Sequence, residues 1–293
     1  MQPRPPLGPF RAAVAALGSS FIYLLIRLFG RKVEQREAPW LWGPFGGDYI
    51  GDKPYDECAE REGLTLTRQA ARGGLIPDFD ALEGDGFRVA HVHPAVRDFY
   101  EHTAEFRMDV WAESRFPMNL GLWLLVTTIS RKVNQLNFPL RALDTARGMD
   151  SEIVLLTEPS GRVRYAGWYR RLSDSGRVIY TGFYMTERVP HCPSPCVKVV
   201  FPMPEGNATV VLRPSVDERG EFRLSSEGAR FGDAGFYRVQ RGGDGRVRVW
   251  RIASLKEFFR VYADEQGTLR CDHSVRFWGL PVLHLHYRIE RKR

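Results

Sequence analysis

Residues 151–289 break into short runs that alternate polar and apolar residues, and most junctions between the runs carry a tight-turn signal. No other feature limits the possible folds as much. A side-chain period of two is that of a β-strand, and connections of a few residues join antiparallel neighbours. Ten runs qualify: 152–157, 162–171, 177–186, 196–203, 207–213, 221–225, 235–241, 246–252, 268–277 and 282–289. Turn residues separate them at Pro159-Ser160-Gly161, Asp174-Ser175-Gly176, Glu205-Gly206-Asn207, Arg219-Gly220, Gly243-Asp244-Gly245 and Glu265-Gln266-Gly267. About ten consecutive antiparallel strands do not stay flat; they close into a barrel or fold into a sandwich. Segment 254–263 fits two readings, a helix capped by Ser254 and Glu257 or a strand built on Phe258-Phe259-Arg260-Val261-Tyr262.

Ahead of this region the periodicity is helical. His93-Pro94 opens a helix, with Val96, Phe99, Tyr100, Thr103, Phe106, Val110 and Trp111 on one face. Asp98, Glu101, Glu105 and Asp109 occupy the other face. Residues 119–136 read as a second, more apolar helix ended by Pro139, and residues 34–53 as a linker or covering loop. The expected class is therefore α+β: an N-terminal amphipathic helix (residues 1–33), a linker and helical segment (34–149), and an antiparallel β-barrel or sandwich of about ten strands (150–293). Small antiparallel barrels that enclose apolar molecules, the lipocalin-like proteins, are an analogy of architecture. Their entry motif does not map onto these residues, so the analogy transfers no function.

Charge distribution bears on partners. The net charge is +7, but it sits at the ends. Arg4, Arg11, Arg27, Arg31 and Lys32 come with no acid, and Arg288, Arg291, Lys292 and Arg293 face Glu290 alone. The body between is close to neutral, which argues against a nucleic-acid face and favours an anionic membrane surface, at the cytoplasmic side. Residues 10–29 place Phe10, Val14, Leu17, Phe21, Leu24, Leu25 and Leu28 on one helical face. Their uninterrupted stretch, Ala12 to Ile26, falls short of the roughly 20 residues a bilayer span requires. The leading expectation is a helix lying in the membrane interface. The alternatives are a spanning helix, a helix docked on the protein and a signal peptide, the last lacking a small-x-small cleavage site before Arg31.

Chemistry-bearing motifs are sparse. There is no nucleophile elbow, phosphate-binding loop, dinucleotide fingerprint or zincin helix, and the glycines of 228–235 read as a loop. His284 and His286 lie two apart and share one strand face, and His91 and His93 repeat the spacing. Neither pair has a third ligand assigned, so no metal and no cofactor are expected. His273 follows Asp272 but points to the opposite face, so its acid–base partner must come from another strand. Asp98 and His102 read as a solvated i,i+4 contact. Cys192-Pro-Ser-Pro-Cys196 reads as a rigid turn with incidental thiols, a disulfide or metal pair being the alternative. The strand 177–186 is apolar on both faces, Val178, Tyr180 and Tyr184 against Ile179, Phe183 and Met185. One side then lines an interior and the other lies under helices or another sheet. Tyr165, Trp168, Tyr180, Tyr184 and Trp278 are the expected lining of an enclosed aromatic pocket. Two functional readings follow. In the first, the protein is membrane-associated and binds an apolar small molecule or lipid in the β domain. In the second, it is an isomerase, cyclase or hydrolase acting on a hydrophobic substrate there, with His273, His284 or His286 as catalytic candidates. No feature assigns an oligomeric state.

Overall fold

The computed structural model describes residue 20 and residues 24–47, 50–114, 135, 148–173, 176–242 and 245–292. The expected helix at 119–136, apart from Gln135, and most of the N-terminal helix lie outside the described residues. The described residues form fourteen strands. Three precede residue 148: β1 (Arg31–Val33), β2 (Thr65–Thr67) and β3 (Phe106–Ser114). The others are β4 (Met149–Thr157), β5 (Val163–Leu172), β6 (Val178–Glu187), β7 (Cys196–Met203), β8 (Gly206–Val216), β9 (Phe222–Ser225), β10 (Gly235–Arg241), β11 (Val247–Arg251), β12 (Leu255–Ala263), β13 (Leu269–Phe277) and β14 (Leu280–Arg291). Besides the end of the N-terminal helix at 24–29, two α-helices accompany them, α1 (Lys53–Glu62) and α2 (Pro94–Glu101).

The named strands pair antiparallel, and the main path runs β2-β4-β5-β6-β7-β8-β9-β12-β13-β14-β3. β8 is the branch point. Its first half pairs with β10, and its last residues, Arg213–Val216, pair with β9. β10 carries β11, and β11 carries β1, forming a side wing. The path has two ends, β2 and β3, so its hydrogen-bond ladder does not close on itself. The protein is mostly antiparallel sheet with few helices, and the expected barrel is realised only as this open path.

The tertiary context changes one sequence reading and decides one that was open. The helix expected to run from His93 to Trp111 stops at Glu101; a 3-10 turn follows at Thr103–Glu105, and β3 begins at Phe106. Phe106 and Val110 lie four apart, a spacing that keeps one face in a helix and equally in a strand. The decision falls to β14, which pairs with β3 from Leu283↔Ser114 to Arg291↔Phe106. Trp111 thereby moves to the opposite face and is 48% exposed. Segment 254–263 is likewise a strand, paired along its length with β13.

Two-faced strands divide the core. On one face, α1 lays Tyr55, Cys58 and Ala59 over Val154, Leu156, Tyr165, Val178 and Phe183. A Cβ at Gly167 would overlap the Tyr55 ring, so this glycine admits the helix. On the other face a larger cluster joins Ile153, Trp168, Tyr180 and Val199 of one half of the path to Phe222, Val261, Cys271 and Ile289 of the other. α2 and residues 75–92 plug it with Phe79, Val96, Phe99 and Tyr100. Val178 was expected to share a side with Tyr180. A register shift between Arg170 and Arg171 sends it instead to the α1 side, as a bulge does.

Candidate functional site

Alternation along β5 points Trp168, Arg170 and Leu172 toward the inner cluster. Register then sets Tyr180 of β6 opposite Arg170, Gly182 opposite Trp168 and Tyr184 opposite Ala166. The missing side chain at Gly182 leaves space that the rings of Phe201, Tyr184 and Tyr180 occupy. β14 contributes Tyr287 on the inward frame of Leu283, Leu285 and Ile289. The result is a cationic group in an aromatic cage. The Arg170 guanidinium carbon lies 5.0 Å from the Trp168 ring centre, 5.9 Å from that of Tyr180 and 5.8 Å from that of Tyr287. Trp168 packs edge-on against both Tyr180 and Tyr184, and its Nε1 donates to Ser151 Oγ at 2.6 Å.

The electrostatics of this cage are one-sided. Arg170 is 3% exposed. Among the described residues it forms no ion pair; its Nη2 reaches the weak acceptor Met149 Sδ at 3.7 Å, the hydroxyl oxygens of Tyr180 and Tyr287 are also in hydrogen-bonding reach of the guanidinium, and its Nε has no partner. Burial pushes the hydroxyls of Tyr180 and Tyr184 well up, and that of Tyr287 up to about 12, so all three stay neutral. The cage therefore holds a positive charge that no carboxylate among the described residues neutralises. A guanidinium offers five donors in a planar fork, and cation–π contact replaces only part of its lost hydration.

Of the expected histidines, His273 is the one facing this interior. It is buried, stacks on Phe259 at 3.9 Å, and sets Nε2 3.7 Å from Glu257 Oε1 without a hydrogen bond. Glu257 comes from β12, the strand beside it. Asp272 faces outward and meets His286 at 2.6 Å, beside Trp111. His284 is exposed on that same outer face. No group of three potential metal ligands gathers among the described residues. The aromatic candidates also separate. Trp168, Tyr180 and Tyr184 meet around Arg170. Tyr165 lies on the α1 side, donating to Glu62 at 3.0 Å. Trp278 sits at the β13–β14 turn with φ +49°, 77% exposed.

Sequence reasoning missed Arg170, Tyr287 and Glu257. The available signal was frame: each is polar at a strand position whose neighbours two residues away are apolar and inward. A groove of about 1700 Å³ is lined by Trp42, Phe45 and Tyr184 together with charged side chains such as Glu62, Arg164 and Glu187. It is open to solvent. Tyr184 lines this groove and also packs against Trp168 of the cage. A second, smaller recess of about 290 Å³ lies by Ser151, Ile153 and Lys292. No family model matches the chain, and neither a curated protein nor a solved structure shows significant similarity to it.

Proposed function

We propose that this protein binds an apolar small molecule or lipid carrying one anionic group, on the inner face of its curled, barrel-like sheet, and that it does so at a membrane surface. The observation that carries the reading is Arg170, a buried guanidinium in an aromatic cage with no acidic partner among the described residues. A ligand carboxylate or phosphate would supply the missing counter-charge, and Trp168, Tyr180 and Tyr184 would cover its apolar part. The route in is the solvent-open groove, past Tyr184.

The membrane part rests on the end of the N-terminal helix. Ile26 is fully buried, and Arg248 Nη1 donates to the Arg27 and Gly30 carbonyls, so this end is docked on β11. Leu24, Leu28 and Phe29 nevertheless remain 50%, 65% and 67% exposed. With Arg27, Arg31 and Lys32 beside them, they suit an anionic leaflet such as the cytoplasmic one. No helix among the described residues is long and apolar enough to cross a membrane.

A second reading is enzymatic. His273, its Nε2 unpartnered and facing Glu257, is placed for proton transfer in an isomerisation, cyclisation or hydrolysis of a hydrophobic substrate. One experiment addresses both readings. Native mass spectrometry of gently purified full-length protein, with and without added oleate, should show an anionic amphiphile bound one to one. Arg170→Gln should lose it while remaining folded. If the wild type neither carries such a molecule nor takes up oleate, the binding reading fails. If the bound molecule is converted, and His273→Asn stops the conversion without releasing it, the enzymatic reading holds.

A further inference from the structure

The loop from β6 to β7 carries two cysteines around a Pro-Ser-Pro turn, and the fold gives them different surroundings. Cys196, the first residue of β7, is fully buried among Val189, Val211 and Tyr237. Cys192 is partly exposed, its backbone N–H bonded to Val189 O at 3.1 Å. The loop is pressed from both sides. Gly84 and Gly86 have no room for a Cβ beside Ser194 and Pro193, and the His191 N–H donates to Gly232 O at 2.9 Å. The two thiols are thus presented on a constrained turn.

A cation is fixed next to Cys192. The Cys192 thiol donates to Asp233 Oδ1 at 3.8 Å, and Arg213 of β8 donates to that same oxygen from Nη2 at 2.5 Å. Asp233 also accepts from the N–H groups of Ala229 at 3.0 Å and Ala234 at 2.9 Å. Burial works to raise the Asp233 carboxyl, and these bonds more than offset it. Its charge is therefore largely compensated, while it holds Arg213 against the thiol.

We propose that Cys192 and Cys196 form a peroxide-sensitive dithiol, in which Cys192 is the attacking thiol and Cys196 the resolving one. The Cys192 thiolate attacks the terminal oxygen of a hydroperoxide. The O–O bond breaks, the sulfur is oxidised to sulfenic acid, and the peroxide is reduced to an alcohol, or to water when the oxidant is hydrogen peroxide. Cys196 then attacks the sulfenic sulfur. The S–S bond forms, the S–O bond breaks, and the hydroxyl leaves with the Cys196 proton as water. Two thiols and one hydroperoxide thus give one disulfide, one alcohol and one water.

The local chemistry agrees with these roles. The Cys192 thiol is drawn down to about 7, first by hydrogen bonding from Cys196, with burial opposing and Arg213 adding to the lowering. The Cys196 thiol is raised, by the same hydrogen bond first and by burial next. Cys58 and Cys271 are internal controls. Both are buried, and burial pushes the first up to about 12 and the second higher.

The test is a brief treatment of reduced full-length protein with hydrogen peroxide, read by intact mass and by peptide mapping after alkylation. The wild type should lose two hydrogens and yield a linked Cys192–Cys196 peptide, with Cys58 and Cys271 still alkylatable after unfolding. Cys196→Ser should stop at a trappable sulfenic acid on Cys192. Arg213→Gln should slow Cys192 alkylation about threefold at neutral pH, because the smaller thiolate fraction is partly offset by greater intrinsic nucleophilicity. The proposal is overturned if Cys192 reacts no faster than Cys58 and Cys271, or if oxidation links separate chains and not the pair.

Discussion

Replacing Arg170 with Met separates a guanidinium kept for the fold from one kept for a ligand. Arg170 is 3% exposed and has no ion-pair partner among the described residues. Removing its charge therefore strands no buried carboxylate. Burying an ion costs several kcal/mol, and cation–π contact with the rings of Trp168, Tyr180 and Tyr287 returns about 2 kcal/mol or more. Met keeps most of the aliphatic length and loses both contributions together. The expected change in the ligand-stripped protein is within about 2 kcal/mol of zero, in either direction. An arginine anchoring a buried ion pair would instead cost about 3–5 kcal/mol on removal. The assay is urea unfolding of delipidated wild type and variant, comparing midpoints at unchanged m. A loss above about 3 kcal/mol would show that Arg170 is a structural element already satisfied in the empty protein, and the reasoning from its missing counter-ion would collapse.

Other expectations are independent of that one. Phe183→Ala, at a fully buried position under α1, should cost about 3–5 kcal/mol in chemical denaturation, and a cost below about 1 kcal/mol would mean that this face is not solidly packed. Glu221 is held down to about 2, chiefly by Arg260 with Arg223 assisting, so its contribution is complete above the ordinary carboxylate range and fades as pH falls toward 2. In Glu221→Gln the dependence of stability on pH over that acidic window should become shallower, and an unchanged slope would contradict the assignment. Changing Leu24, Leu28 and Phe29 together to Ser should abolish sedimentation with anionic vesicles and leave the melting temperature unchanged; persistent sedimentation would remove these side chains from the membrane reading. Truncation is the poorer tool, since Arg31–Val33 is β1 and Val33 is buried against β11.

The strand positions in the second half of the chain were legible because two local signals agree there. Alternation marks each strand, and Gly-containing turns mark where the chain reverses, so runs such as Cys196–Met203 and Gly235–Arg241 are readable without partners. The outward pairing of Asp272 away from His273 followed from the same period. Tertiary structure decided whatever depended on a partner far along the chain. Phe106 and Val110 satisfy a helix and a strand equally, and β14 settles the matter from nearly two hundred residues away by pairing with them. One bulge beside Arg170 carries Val178 to the other face, and no local rule places that bulge. The fork at β8 exists because one strand long enough for two neighbours meets β10 along its first half and β9 along its end. The cage around Arg170 belongs with these. Its residues come from β5, β6 and β14, and each one read alone is an ordinary member of its strand. Only the curl that brings β14 across from β5 turns a charged residue on an inward frame into a buried cation with no ion-pair partner among the described residues. Sequence periodicity fixes which side of its strand a residue faces; what stands opposite it depends on long-range pairing, which periodicity does not encode.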